Sequence, residues 1–267
     1  MEIHFGCTIC ARCCRDLKLP LTVDEAQAWL TDGHRVQVMC EALPWPEEPP
    51  QANEYAAYRR ERSFAAMSGT LAVRIVVILA GDLQGACPNL LPDLRCAIYA
   101  RRPLVCGIYP AEINPFLELR PQNKGCPPEA WGTGGPVLQR DGVLTDTDVA
   151  ARVARRRALE VRDVGVKQRL CASLDLHEAA LAGEGFLLYS PVPARLAAAL
   201  KVTAGDDGHA APERTWCLMS DRPKTIVALR AAGADAAPTA EASTGAFEYL
   251  TLSNAASGRA AGADSAR

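Results

Sequence analysis

Cys7-Thr-Ile-Cys10-Ala-Arg-Cys13-Cys14 is the stretch on which the reading of this chain turns. Two residues between thiols let a tight turn aim both sulfurs at one point. Repeating that spacing gathers three sulfurs around it, as in the Cys-x2-Cys-x2-Cys loop of bacterial ferredoxins. A second group follows in Cys87-Pro88, Cys96, Cys106 and Cys126-Pro127. A Cys-Pro dipeptide commonly marks the remote ligand in the ferredoxin pattern, because proline ends local structure and removes a backbone donor. Four thiolates suffice for one Zn²⁺ or one iron–sulfur cluster, so eight allow two sites, or one site with four spectators.

The remaining composition sets bounds on that chemistry. A chain of 267 residues can bury a core without covalent staples. Its 11 cysteines therefore point to metal or redox chemistry rather than to a disulfide framework. Nine of them precede residue 130, leaving Cys171 and Cys217 beyond it. A net charge of −2 argues against a nucleic-acid or anionic-membrane grip by the whole chain. The longest apolar run, residues 71–80, is interrupted by Arg74 and falls far short of the roughly 20 residues a membrane span needs. The amino terminus shows no basic segment followed by an apolar stretch, so the expectation is a cytoplasmic chain with no cleaved signal.

Patterning outside the cysteines predicts an α+β fold. Thr22 and Glu25 form a capping-box pattern ahead of a short helix that Gly33 stops. Residues 35–40 alternate as a strand, a Pro-rich loop covers 44–50, and 63–67 with 70–80 read as a hairpin turning at Ser68-Gly69. After the Gly132–Pro136 break, helical patterning runs over 146–182 with an interruption near Gly165, and a last helix covers 222–232. From Gly233 the chain is Ala/Gly/Ser-rich and is expected to be largely disordered. The expected organisation is thus a cysteine-cluster domain of short strands and loops over 1–135, a helical region over 136–232 and a low-complexity tail over 233–267. Residues 151–170 carry six Arg and one Lys, a basic helix face to which a protein partner could bind through Arg152, Arg155, Arg156, Arg157 and Arg162.

The donor set favours iron over zinc. Zinc sites usually use two Cys-x2-Cys knuckles or mix in histidine, whereas His4, His34, His177 and His209 lack metal-motif spacing. An all-sulfur set built on a Cys-x2-Cys-x2-Cys loop suits an iron–sulfur cluster, 4Fe–4S in type, with zinc as the alternative. Arg12, Arg15, Arg95, Arg101, Arg102 and Lys124 lie beside the cysteines and would offset the negative charge of a thiolate-held centre. Cys40, Cys171 and Cys217 read as small buried apolar side chains. No Gly-x-Ser-x-Gly, P-loop, His-Glu-x-x-His or G-x-G-x-x-G element occurs.

Taken together, Cys7 to Cys14, Cys87-Pro-Asn-Leu90, Cys96-Ala-Ile-Tyr99, Arg102-Pro-Leu-Val-Cys106-Gly-Ile-Tyr109-Pro110 and Lys124-Gly-Cys126-Pro127 resemble the YkgJ-type cysteine-cluster family. That family is described as a zinc- or iron-chelating CxxCxxCC domain. The resemblance covers roughly residues 7–131 and departs at Gly107, where many relatives carry Arg. It implies metal binding, with Cys7, Cys10, Cys13, Cys14, Cys87, Cys96, Cys106 and Cys126 as ligands. Three readings follow from it: an iron–sulfur protein, a structural zinc protein that binds a partner, or an S-adenosylmethionine-dependent protein lysine methylase related to flagellin N-methylases.

Overall fold

Strands far apart in sequence pair to give an α+β fold. The computed structural model describes residues 1–204, 215–241 and 247–252. In chain order its strands are β1 (Glu2–His4), β2 (Lys18–Leu21), β3 (Val36–Pro44), β4 (Phe64–Ser68), β5 (Leu71–Asp82), β6 (Val137–Arg140), β7 (Val143–Leu144), β8 (Glu178–Leu181), β9 (Gly185–Tyr189), β10 (Cys217–Ser220), β11 (Ala236–Pro238) and β12 (Phe247–Thr251). The helices are α1 (Val23–Thr31), α2 (Glu54–Glu61), α3 (Leu104–Ile108), α4 (Thr147–Arg162), α5 (Val164–Leu174), α6 (Pro193–Ala204) and α7 (Pro223–Ala231). No helix among the described residues is long and apolar enough to cross a membrane.

Two compact units emerge, and they do not follow the sequence order of the expected domains. One comprises Met1–Thr22 and Gly81–Leu159; the other comprises Val23–Ala80 and the described residues from Glu160 onward. The physical reason is strand pairing: β3 joins β8 in parallel and β9 in antiparallel register, so residues 36–44 belong with residues after 178. Such pairings leave no mark on local periodicity.

In the second unit the sheet order β11-β10-β8-β3-β5 is extended by β4 on β5 and by β12 on β9. The β4–β5 hairpin forms as expected, but Ser68 pairs with Leu71 and the turn is Gly69-Thr70, one residue beyond the expected Ser68-Gly69. Gly69 has φ 55°, and a Cβ there would lie 2.3 Å from the Gly233 carbonyl oxygen, so only glycine fits. β9 is buried along its whole length, which explains its unbroken apolar sequence Gly185-Phe-Leu-Leu-Tyr189. Asp163, itself buried, sits at the break between α4 and α5, two residues before the expected Gly165, and accepts the Val23 backbone N–H at 2.8 Å at the start of α1. Cys40 and Cys171 are fully buried and hydrogen-bonded to each other, while the Cys217 sulfur lies 3.7 Å from that of Met219.

Two stretches also carry strands that their local patterning does not reveal. The region expected to be helical over 136–232 also holds β6 to β10, whose short runs are too brief to show a period. Within the expected tail, β11 pairs with β10 and β12 pairs with β9. Residues 242–246 and 253–267 of that tail lie outside the described residues.

The first unit buries Leu21, Leu83, Ile108 and Ile113, and besides them a separate small apolar cluster. Ile3, Leu119 and Leu138 are buried together, and Phe5, Trp131, Leu144 and Val149 pack against them. The three-stranded sheet β1-β6-β7 carries part of this cluster. Arginines of α4 serve the unit internally: Arg156 donates to the Pro20 carbonyl at 3.2 Å and Arg157 to that of Ile113 at 2.7 Å. Beyond the division, Arg162 pairs with Asp163 at 2.7 Å and with Asp24 at 2.9 Å. Much of the basic face expected to meet a partner is therefore already bound within the chain.

Leu187 is fully buried in β9, and truncation there leaves a cavity. Leu187→Ala should cost about 3 kcal/mol in denaturant unfolding, whereas Val227→Ala, on an exposed position of α7, should change stability by no more than about 0.5 kcal/mol.

Candidate metal centre

Backbone geometry explains how the first cysteine loop is shaped. Ile9 and Ala11, one in each two-residue gap, both adopt φ 55°. Left-handed conformation is uncommon for such residues and costs free energy, so the loop is curled by its surroundings rather than by glycine. A 3-10 turn over Arg12–Cys14 follows, with the Cys14 N–H donating to the Ala11 carbonyl at 3.0 Å. The Cys13 and Cys14 sulfurs end 3.9 Å apart.

Residues 14–17 then run beside 83–87. Leu83 N–H donates to Leu17 O at 3.1 Å, Asp16 N–H to Gly85 O at 2.7 Å, and Cys87 N–H to Cys14 O at 2.7 Å. Lys18 and Asp82 close the open end of this ladder with an ion pair of 2.6 Å. A short hairpin carries the chain on from Cys87 to Cys96: Leu90 N–H donates to Cys87 O at 2.9 Å, Leu91 N–H to Arg95 O at 2.8 Å, and Leu90 bridges Cys96. Cys106 is supplied by α3, which Pro103 precedes.

Cys126 arrives by a different route. Tyr109, joined to Pro110 by a cis peptide bond, accepts the Gly125 N–H on its hydroxyl at 2.9 Å and is hydrogen-bonded to Cys126. Arg12, from within the cysteine loop, donates to the Gly125 carbonyl at 3.5 Å. Lys124 pairs with Glu112. These contacts hold Cys126 against the loop of residues 7–13.

Burial, hydrogen bonding and neighbouring charge shift five of these thiols. A hydrogen bond with Cys14, then burial, pushes the Cys13 thiol well above its ordinary value, with further contributions from the charges of Cys14, Cys106 and Cys126. Cys14 is lowered to about 7 by its bond with Cys13, against burial and with help from Arg102 and Arg15. Burial raises Cys106, and Cys14, Cys87 and Cys96 add to the effect while Arg102 opposes it. Cys87 is raised by burial and faces Cys14 and Cys96. Cys126 is raised by burial and faces Cys10 and Cys7, while the Tyr109 hydroxyl and Lys124 act in the opposite direction. All eight expected cysteines thus lie in one unit, although among the described residues no three His, Cys, Asp or Glu side chains are already set as around one ion.

Two polar atoms fit such a group. Arg102 Nε and Asn89 Nδ2 are buried without a hydrogen-bond partner. Arg102 stacks 4.0 Å over the Tyr99 ring and faces Cys14 and Cys106, and the Asn89 backbone bonds Cys87. Buried N–H donors without acceptors are costly, and thiolate or sulfide sulfur beside them would satisfy both. The sequence marks Arg102 by its charge but gives no signal for Asn89, whose importance lies in burial alone. His4 is engaged elsewhere, its Nδ1 lying 2.8 Å from the Gly135 carbonyl.

Comparison with known families agrees with this geometry. Residues 6–127 match the CxxCxxCC family model, described as a "Putative zinc- or iron-chelating domain". No curated protein and no solved structure matches the chain. The matched CxxCxxCC span runs from the residue before Cys7 to the one after Cys126 and so encloses every one of the eight cysteines. Within it, Gly107 lies against α4, where a Cβ would come 3.0 Å from Cδ and Nη1 of Arg152. The space beside the cysteines that a larger residue would need is filled by that helix-borne arginine.

Tyr109→Phe removes the acceptor for Gly125 while keeping the ring. The Gly125 amide should then exchange with solvent roughly fivefold faster, the equivalent of about 1 kcal/mol of local hydrogen bonding, as read by amide hydrogen exchange on the metal-free chain.

Proposed function

We propose that the cysteine-cluster region holds iron in iron–sulfur form, with its ligands drawn from Cys7, Cys10, Cys13, Cys14, Cys87, Cys96, Cys106 and Cys126. The observation that carries this reading is the pair of unpartnered buried donors, Arg102 Nε and Asn89 Nδ2, beside a donor set made only of cysteine. Inorganic sulfide adds acceptor atoms beyond the thiolates, which suits donors aimed at the group rather than at the protein. Such a centre supplies one-electron chemistry when bound. The chain's own residues orient and tune it. Arg102 places positive charge against Cys14 and Cys106, and the Tyr109 hydroxyl bonds Cys126. Both favour the thiolate forms a metal requires.

The same centre is a structural staple. The segment between Gly81 and Trp131 is mostly turns, so metal–thiolate bonds contribute where regular hydrogen-bonded structure is sparse. The methylase reading rests on the family resemblance alone.

Purification without oxygen, followed by metal and acid-labile sulfide assays, tests the proposal. Iron with comparable sulfide and broad visible absorption is the expected result. Zinc without sulfide would overturn the iron reading and leave a structural thiolate site.

A further inference from the structure

Resting on the iron–sulfur reading above, we infer that residues 91–101 form a docking surface for a small acidic electron-carrier protein.

The surface is held in shape by its own backbone. Leu91 N–H donates to Arg95 O at 2.8 Å and Leu94 N–H to Leu91 O at 2.9 Å, closing the hairpin loop over residues 92–94. Ala97 N–H donates to Asn89 O at 2.8 Å, and Tyr99 N–H to Cys96 O at 3.3 Å, where a 3-10 turn over Tyr99–Arg101 begins. Hairpin loops of this kind end on a left-handed residue, and glycine is the usual choice because it has no Cβ. Here that residue is Leu94, with φ 65°. A leucine in that conformation costs free energy. Packing within the chain offsets little of the cost, since Leu94 is 41% exposed. Leu91 beside it is 42% exposed and Tyr99, on the turn that follows, 65%. Large apolar side chains presented together on a braced turn mark an interaction surface.

Charge selects the partner. Residues 88–102 carry Arg95, Arg101 and Arg102 against Asp93 alone, in a chain whose net charge is −2. Asp93 lies 3.8 Å from Arg95 with both side chains largely exposed, so the pair leaves most of the arginine's charge to a partner. Arg102 stacks 4.0 Å over the Tyr99 ring. Tyr and Arg are enriched at protein interfaces, and leucines rimmed by arginines suit carboxylates around an apolar centre. A nucleic-acid strand would instead call for a track of cations along its phosphates. The same residues alternate with proposed ligands: Leu91 and Leu94 lie between Cys87 and Cys96, and Tyr99 between Cys96 and Cys106. A partner seated there lies against the centre, which makes a one-electron carrier the fitting class. The reduced carrier gives up one electron and the centre takes it, with no bond made or broken. Encounters of this sort use small interfaces and charge attraction.

Calorimetric titration of the full-length chain, purified without oxygen, with an acidic plant-type [2Fe–2S] ferredoxin tests the inference, with iron and sulfide assayed on every sample. Binding in the micromolar range at about 0.05 M salt is expected, weakened roughly tenfold at about 0.5 M. Leu94→Gly should weaken it roughly tenfold while iron content and thermal midpoint are undiminished, because glycine suits the left-handed position better than leucine. Arg101→Glu should weaken it by a similar factor, and Arg140→Glu, on β6, by less than about twofold. Undiminished binding by Leu94→Gly, or no binding by the iron-loaded wild type, would overturn the docking inference and leave the iron reading intact. Tighter binding of a fluorescent single-stranded RNA than of ferredoxin would overturn it in favour of nucleic acid. Zinc without sulfide in the wild type would overturn the iron reading itself and the electron carrier with it.

Discussion

Crowding of thiols is the constraint around which the first unit is organised. Cys13, Cys87, Cys106 and Cys126 are all pushed toward the neutral form, chiefly by burial for the last three and by its bond with Cys14 for Cys13. Neighbouring thiolates oppose one another's ionisation at each of these positions. A bound cation reverses that balance, because thiolates that repel one another all attract it. The arginines and Tyr109 reduce the opposition but cannot remove it, since each acts on only one or two sulfurs.

That constraint explains why the unit is built mostly from turns. Cysteines must come from five places in the sequence and face one another, which regular helices and strands of ordinary length cannot arrange. The chain uses left-handed residues at Ile9 and Ala11, a short ladder against residues 83–87, the 90–96 hairpin and the Tyr109–Gly125 bond instead. Each device satisfies backbone donors that a loop would otherwise leave to solvent. In the second unit, β9 and the strands beside it bury large apolar side chains such as Phe186, Leu187 and Leu188.

Local features were readable in the sequence where local physics decides them. The helix after Thr22 and the strand leading to Cys40 lie where residue pattern places them, and the β4–β5 hairpin does too with its turn shifted by one residue to Gly69-Thr70. The match to the CxxCxxCC family model over residues 6–127 was legible too, because eight cysteines at fixed spacing with their Pro and Tyr neighbours are an unusual combination. What stayed hidden was non-local. Parallel pairing of β3 with β8 across more than a hundred residues assigns 23–80 to the second unit, and β11 and β12 lie in a segment whose Ala/Gly/Ser composition argues against strands. Likewise, six arginines and a lysine read as a docking face, yet Arg156 and Arg157 cap backbone carbonyls within the chain. At the site, Asn89 became visible only through its burial.

X-ray absorption at the metal edge, on protein isolated without oxygen, tests the central claim most directly because it reads the atoms bound to the metal. The account predicts a first shell made only of sulfur, at about 2.3 Å, with an iron neighbour beyond it. A shell containing nitrogen or oxygen ligands would contradict a centre built from these cysteines alone.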